Sequence, residues 1–273
     1  METDPFRISG HVARFDEIVA DIVARSAQTR AELPAKIGIA YGDGPSETLD
    51  LFFPEDMSQP VPVHIFIHGG YWRSFSKDDY SLVASTVTAA GAIAVIVDYA
   101  LMPQVRMATI VDQVRRAKEW VLDNIAQYGG DPDRLTISGH SAGAHLATTL
   151  LLEERGPSRV RAALLLGGLY DLKPLQNSFL KAEIGLTNEE VAAFTPMKKQ
   201  YDATTRFTIL VGAKETEPFH EQANAFAKRL AAQGAKVSQC IIVSRNHMDS
   251  VRDLGVSYSL TGRYLTDLIA GSR

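Results

Sequence analysis

The sequence predicts a doubly wound α/β fold with a mostly parallel sheet, and three observations carry that prediction. Short runs rich in β-forming residues alternate with longer helical runs over most of the 273 residues. Most of those strand runs are apolar without interruption, as expected of strands covered on both faces. Between one strand and the next helix stands Gly139-His140-Ser141-Ala142-Gly143, a G-x-S-x-G pentapeptide.

Taken in order, Val12 to Leu33 shows helical periodicity, with Phe15, Ile18, Val19, Ile22 and Val23 on one side. Two strand-like runs follow, Ile37 to Tyr41 and Thr48 to Phe53. The turn signal Gly42-Asp43-Gly44-Pro45 separates them, so they read as an antiparallel pair at one side of the sheet. Six further strands are predicted at Val63–Ile67, Ala92–Val97, Leu135–Ser138, Ala162–Leu166, Phe207–Val211 and Val237–Val243. Helices are predicted over Lys77–Ala90, Gln104–Tyr128, Ser141–Glu154, Phe219–Gln233 and Asp249–Ala270. Only Asp171 to Thr205 breaks the alternation. Its Thr187-Asn188-Glu189-Glu190 resembles a capping box before Val191-Ala192-Ala193-Phe194, which makes the segment a short helical insert and a candidate lid. No repeat, low-complexity tract or Pro/Gly/Ser-rich linker divides the chain, so one domain is expected, with residues 1–33 as a helical extension and 171–205 as the insert.

Composition narrows the function. Hydrophobic residues make up 45% and charged residues 22%, ordinary for a soluble globular protein. A net charge of -4 without a Lys/Arg cluster argues against a nucleic-acid partner. No apolar stretch approaches the roughly 20 residues of a membrane span. The acidic Met1-Glu2-Thr3-Asp4-Pro5 start leads into no apolar run of signal-peptide type, so a cytoplasmic location is expected. The single cysteine, Cys240, lies in an apolar run and reads as a buried, inert thiol. No His/Asp/Glu/Cys group shows metal-ligand spacing, and Gly69-Gly70 does not make a dinucleotide fingerprint, so neither metal nor cofactor is expected.

The pentapeptide carries the chemistry. A G-x-S-x-G between strand and helix is a nucleophile elbow, a strained turn that lifts a serine hydroxyl above the sheet. Ser141 is weak as a nucleophile until a base takes its proton. In this topology the acid and the base follow on loops after later strands. His247, just past the last strand, stands where the base belongs. Of the other histidines, His11 lies near the N-terminus, His64 within a strand and His220 at a helix start. His145 reads as packed one helical turn beyond Ser141, and His140 as shaping the elbow. The loop after Phe207–Val211 contains Glu215 and Glu217. Glu215 is the first candidate for the acid that orients the imidazole, with Glu217, Asp202 and Asp249 as alternatives. His68-Gly69-Gly70-Tyr71-Trp72 follows the Val63–Ile67 strand. The amides of Gly70 and Tyr71, with that of Ala142, are the candidate oxyanion donors. Gly69, Tyr71, Trp72 and His140 are the candidate substrate contacts.

With these residues in place, the chain resembles the α/β-hydrolase superfamily over nearly its whole length, and within it the kynurenine formamidase (arylformamidase) branch and related bacterial esterases. The resemblance rests on the HGGxW motif at residues 68–72 and on Gly139-His140-Ser141-Ala142-Gly143-Ala144-His145-Leu146. Supporting segments are Ile39-Ala40-Tyr41-Gly42 with Leu49-Asp50-Leu51-Phe52, Asp98-Tyr99 with Pro103, and Leu169-Tyr170-Asp171-Leu172 with Pro174-Leu175. It implies an α/β-hydrolase fold: a mostly parallel eight-stranded sheet, helices on both faces and a short cap insert. It also implies a triad of Ser141, Glu215 and His247, although family members generally carry Asp where this chain has Glu215. The implied reaction is hydrolysis of a small N-acyl aryl amide such as N-formylkynurenine. Hydrolysis of a carboxylic ester by the same residues is the alternative, and a catalytically silent binding protein of this fold is the remote one. A small acyl substrate, aromatic in character, is the expected partner. A homodimer is compatible with the sequence, which does not decide whether the N-terminal helix packs on the domain, covers the pocket or forms such a contact.

Overall fold

The computed structural model describes residues 4–271. Eight strands form one sheet in the order β1-β2-β4-β3-β5-β6-β7-β8. They are β1 (Ala35–Ala40), β2 (Thr48–Phe52), β3 (Val61–Ile67), β4 (Ile93–Val97), β5 (Gly130–His140), β6 (Ala162–Leu166), β7 (Arg206–Gly212) and β8 (Lys236–Ile242). β1 pairs antiparallel with β2, and β2 with β4; every later pairing is parallel. Strands β3, β4 and β6 are almost wholly buried and β5 is buried from Leu135 onward, which accounts for their hydrophobic runs.

The helices are α1 (Phe15–Glu32), α2 (Val83–Ala89), α3 (Met107–Asn124), α4 (Ala142–Thr148), α5 (Leu180–Glu183), α6 (Asn188–Phe194), α7 (Glu217–Ala232), α8 (His247–Leu254) and α9 (Leu260–Ala270). α1, α2, α8 and α9 contact one another as a layer, while α3, α4 and α7 pack on the sheet separately. α1 is therefore part of the fold. Ser26 donates to the Asp79 carbonyl at 2.7 Å and accepts from the Leu82 amide at 3.0 Å, and Arg30 pairs with the buried Asp50 of β2.

Four elements depart from the sequence reading, the first being α4, which ends at Thr148 and not at Glu154. Helix α2 begins at Val83, not Lys77. Lys77 is drawn to Asp50 at 3.3 Å, and Ser76 is held by Asp79, so the approach to the helix is a series of turns. The expected helix over 249–270 is two helices, α8 and α9. The Ser259 hydroxyl accepts from the Gly262 amide at 2.9 Å and starts α9 afresh. The run Val237–Val243 forms an edge strand, not a buried one: Ile241 is 51% exposed and Cys240 is half-buried. The capping box forms as read. Thr187 Oγ1 accepts from the Glu190 amide at 3.2 Å, and Glu190 accepts from the Thr187 amide at 3.0 Å. Glu190 also pairs with Arg106 and accepts from the Met107 amide, which ties the insert to the start of α3.

Register decides where function can lie. Ile67 pairs with Gly139, Gly139 with Leu165, Leu165 with Ile209, and Ile209 with Gln239. The parallel strands thus end together, and the loops after them open at one edge of the sheet, where open α/β sheets place their ligands.

Candidate active site

Ser141 joins β5 to α4 with φ 56° and ψ -119°, a conformation costly for a residue with a Cβ. The flanking glycines allow it. A Cβ on Gly139 would lie 2.3 Å from the Gly143 carbonyl oxygen, and one on Gly143 would lie 2.1 Å from that of Ile67. Strand end and helix start therefore approach backbone to backbone, which leaves the serine as the first side chain free of the turn.

His247 begins α8, where Asn246 caps by accepting from the amides of Met248 and Asp249. Its Nδ1 lies 2.6 Å from Glu215 Oε2, and both side chains are almost fully buried. Since a carboxylate only accepts, Nδ1 is the donor, and in the neutral imidazole Nε2 is then the bare nitrogen. Glu215 Oε1 accepts from the Gly212 amide at 2.7 Å, and the Glu215 amide donates to the Gly212 carbonyl at 3.0 Å. The Glu215 side chain thus folds back over its own turn. The alternatives lie elsewhere. Glu217 is exposed in the first turn of α7; Asp202 accepts from the Ser158 amide at 2.8 Å; Asp249 pairs with Arg252 at 3.1 Å and accepts from Asn246.

Gly167, which the sequence reading passed over, makes room for this pair. It follows β6 with φ +54°, and a Cβ there would lie 3.0 Å from His247 Nδ1 and 3.2 Å from Glu215 Oε2. The only sequence signal was a pair of glycines, Gly167-Gly168, directly after a strand.

In the loop after β3, Gly70, Tyr71 and Trp72 all have positive φ. The Gly70 carbonyl accepts from the amides of Arg73 and Ser74, which closes a tight turn. Among the described residues the amides of Gly70 and Tyr71 donate to no backbone or side-chain acceptor. The Ala142 amide is the first of α4 and has no partner within that helix. His68 stacks on Tyr99 with ring centroids 4.2 Å apart, and Tyr99 donates to the His68 carbonyl at 2.9 Å.

Trp72 is corrected as a substrate contact. It is fully buried and does not line the cavity, and its indole N–H donates to His145 Nδ1 at 3.2 Å. His145 Nε2 then donates to the Phe194 carbonyl at 2.9 Å, so the two residues brace the loop after β3 against α4 and the insert. Burial holds the His145 pKa down at about 4 and that of His64 at about 3, which keeps both neutral. Gly69 also stays off the cavity, pressed against His140 and Ser141. His140 does line it. Burial, with the neighbouring His247, pushes its pKa well below the usual histidine range, and its Nε2 donates to the His247 carbonyl at 3.1 Å.

Ser141 and His247 open on a cavity of about 270 Å³ walled by Phe15, Tyr71, Phe75, Tyr80 and Phe179. Two segments remote in sequence close it: residues 7–15 and the insert near α5. The N-terminal strap is fastened at several points. Tyr71 donates its hydroxyl to the Phe6 carbonyl at 2.6 Å, Thr216 donates to the Pro5 carbonyl at 2.7 Å, and Asp4 accepts from the Phe179 amide. Burial, with the nearby Asp4 and Glu215 charges, raises the Tyr71 pKa well above its usual value, so the hydroxyl stays a donor. Among the described residues no helix is long and apolar enough to cross a membrane.

The chain is similar to proteins of known sequence and structure. The chain is 28% identical to a kynurenine formamidase of Danio rerio over 284 aligned positions, covering all of this chain and 96% of the relative. It is 29% identical to a probable isoprenylcysteine alpha-carbonyl methylesterase of Arabidopsis thaliana, covering 77% of this chain and 50% of that one. Among solved structures, a putative thioesterase from Silicibacter superposes with a TM-score of 0.84 at 26% identity, covering 98% of each chain. Residues 64–248 match the family described as having the alpha/beta hydrolase fold, and with the sheet order and the elbow already on that plan, the chain belongs to the α/β-hydrolase family.

Proposed function

We propose that the protein is a serine hydrolase that cleaves a small N-formyl aryl amide, of which N-formylkynurenine is the type, through a formyl-serine intermediate. The observation that carries this reading is the buried His247–Glu215 pair, with His247 lining the same aromatic-walled cavity as Ser141, in a chain alignable end to end with a kynurenine formamidase. Ser141 Oγ attacks the formyl carbon while His247 Nε2 takes its proton, and Glu215 stabilises the imidazolium that forms. The carbonyl oxygen becomes an oxyanion held by the amides of Gly70, Tyr71 and Ala142. Collapse breaks the C–N bond, and His247 returns the proton to the departing arylamine. Water, deprotonated by the same histidine, then attacks the formyl ester; formate leaves and Ser141 regains its proton.

A second reading, hydrolysis of small carboxylic esters, uses the same residues and is favoured by the methylesterase relative. Comparison of kcat/KM for N-formylkynurenine and p-nitrophenyl acetate separates the two. Turnover of the ester orders of magnitude faster than the formamide would reject the first reading. Labelling by a fluorophosphonate probe, expected in the native chain and lost in Ser141→Ala, tests the nucleophile itself.

A further inference from the structure

The mouth of the cavity carries charges that the hydrolytic step does not use. Arg7 comes from the N-terminal strap, Arg73 from the loop after β3 and Glu183 from the end of α5, and all three line the cavity shared by Ser141 and His247. Arg73 Nε lies 2.9 Å from Glu183 Oε2, with the side chains 37% and 29% exposed. That carboxylate oxygen is shielded from solvent yet has no well-aligned hydrogen bond. The Arg7 guanidinium lies 4.3 Å above the centre of the Phe179 ring, and no carboxylate among the described residues pairs with it.

We propose that these three residues form a subsite for a zwitterionic α-amino acid headgroup, with the carboxylate held by Arg7 and Arg73 and the ammonium by Glu183. The inference rests on the formamidase reading and specifies which aryl amides the site selects. Two cations and one anion at one opening match a headgroup that offers a carboxylate and an ammonium. The planar guanidinium fork suits a carboxylate in particular. The Arg73–Glu183 pair is partly solvated and imperfectly aligned, the kind of contact that gives way to a better-placed partner at little cost. Arg7 is braced from below by an aromatic face, which leaves its N–H edge free for an anion. A plain aryl ester would use none of these charges. The three residues also explain why the strap and the insert meet over the site, since each contributes one side of the charge pattern.

Binding to the Ser141→Ala protein, measured by calorimetry, tests the subsite without turnover. L-Kynurenine carries the headgroup, and 2-aminoacetophenone has the same ring and ketone without it. We expect L-kynurenine to bind at least about tenfold more tightly, and Arg7→Met and Glu183→Gln each to reduce that preference about tenfold. In the active enzyme the same substitutions should lower the kcat/KM ratio of N-formylkynurenine over formanilide, mainly through KM. Equal affinity for the two ligands, or a preference that survives both substitutions within twofold, overturns the subsite. If the preference holds while p-nitrophenyl acetate is cleaved far faster than either formamide, the subsite stands and the formamidase reading falls.

Discussion

Shortening Glu215 by one methylene should uncouple the proposed acid from the proposed base, His247, without disturbing the fold. Both carboxylate oxygens are committed, one at 2.6 Å from His247 Nδ1 and the other at 2.7 Å from the Gly212 amide. Aspartate shortens the reach by about one carbon–carbon bond, ~1.5 Å, which opens a gap of about 4 Å to Nδ1, past hydrogen-bond range. The backbone has little freedom to follow. The Ala213 amide donates to the Ile242 carbonyl at 2.9 Å, Lys214 to that of Arg245 at 2.8 Å, and Glu215 to that of Gly212 at 3.0 Å. A water can bridge part of the gap, so Glu215→Asp is expected to lose about 10- to 100-fold in kcat, roughly 1.4 to 2.7 kcal/mol of transition-state stabilisation. Glu215→Gln should lose more, about 10³- to 10⁴-fold. Its amide must turn its oxygen to the Gly212 amide and its NH₂ to Nδ1, which selects the wrong imidazole tautomer. The assay is kcat and KM on a formamide and an ester, with thermal unfolding as the control for folding. If Glu215→Asp kept activity within threefold of the parent on both substrates, Glu215 would not be the residue that orients His247.

Gly167→Ala should place a methyl 3.0 Å from the His247 ring in a left-handed backbone conformation. Steady-state kinetics should show a loss of at least about 100-fold in kcat, against a stability cost of about 1–2 kcal/mol by denaturant titration. Tyr71→Phe removes the bond to the Phe6 carbonyl and leaves that oxygen without its donor. A cost of about 1–3 kcal/mol and faster proteolysis near the N-terminus are expected, and unchanged cleavage would mean that the strap is held by other contacts. Stability should fall as pH drops from about 6.5 toward 4. His64, His140 and His145 have folded pKa values depressed by burial, so the unfolded chain takes up protons that the folded chain refuses. Each contributes a slope of about 1.4 kcal/mol per pH unit in that window. Urea titrations at several pH values check this, and a flat profile would show that these rings are protonated in the fold.

Much of this arrangement is legible in the sequence because it is fixed by local rules. Gly139 is demanded by a backbone contact with Gly143 and Ala144 inside the turn, and Gly143 by the end of the neighbouring strand β3, so the elbow follows from the strand-to-helix motif and its place in the sheet. His247 and Glu215 are found by counting strands, since parallel strands in register must end at one edge. The failures share a physical cause too. An uninterrupted apolar run reads the same in a central strand as in the exposed edge strand β8, so Cys240 and Ile241 were placed inside. Trp72 stands beside Gly69-Gly70-Tyr71 in sequence, but which way an indole turns depends on His145, 73 residues away. The start of α2 depended on Asp50, which no local pattern connects to Lys77.

The division between what is legible and what is not follows the division between reaction and selection. The proposed nucleophile, base, acid and amides all stand at strand ends, so the same sheet that makes them predictable serves ester and amide chemistry alike. The cavity walls and the charged mouth come from residues 7–15 and 179–183, segments with no fixed place in the strand order and brought together only by tertiary contacts such as that between Asp4 and Phe179. Replacing residues of the strap should therefore alter which acyl compounds are accepted before it alters how the acyl bond is broken. A strap variant that lost formamide and ester turnover equally, with KM unchanged, would place the strap in the reaction itself and remove that division.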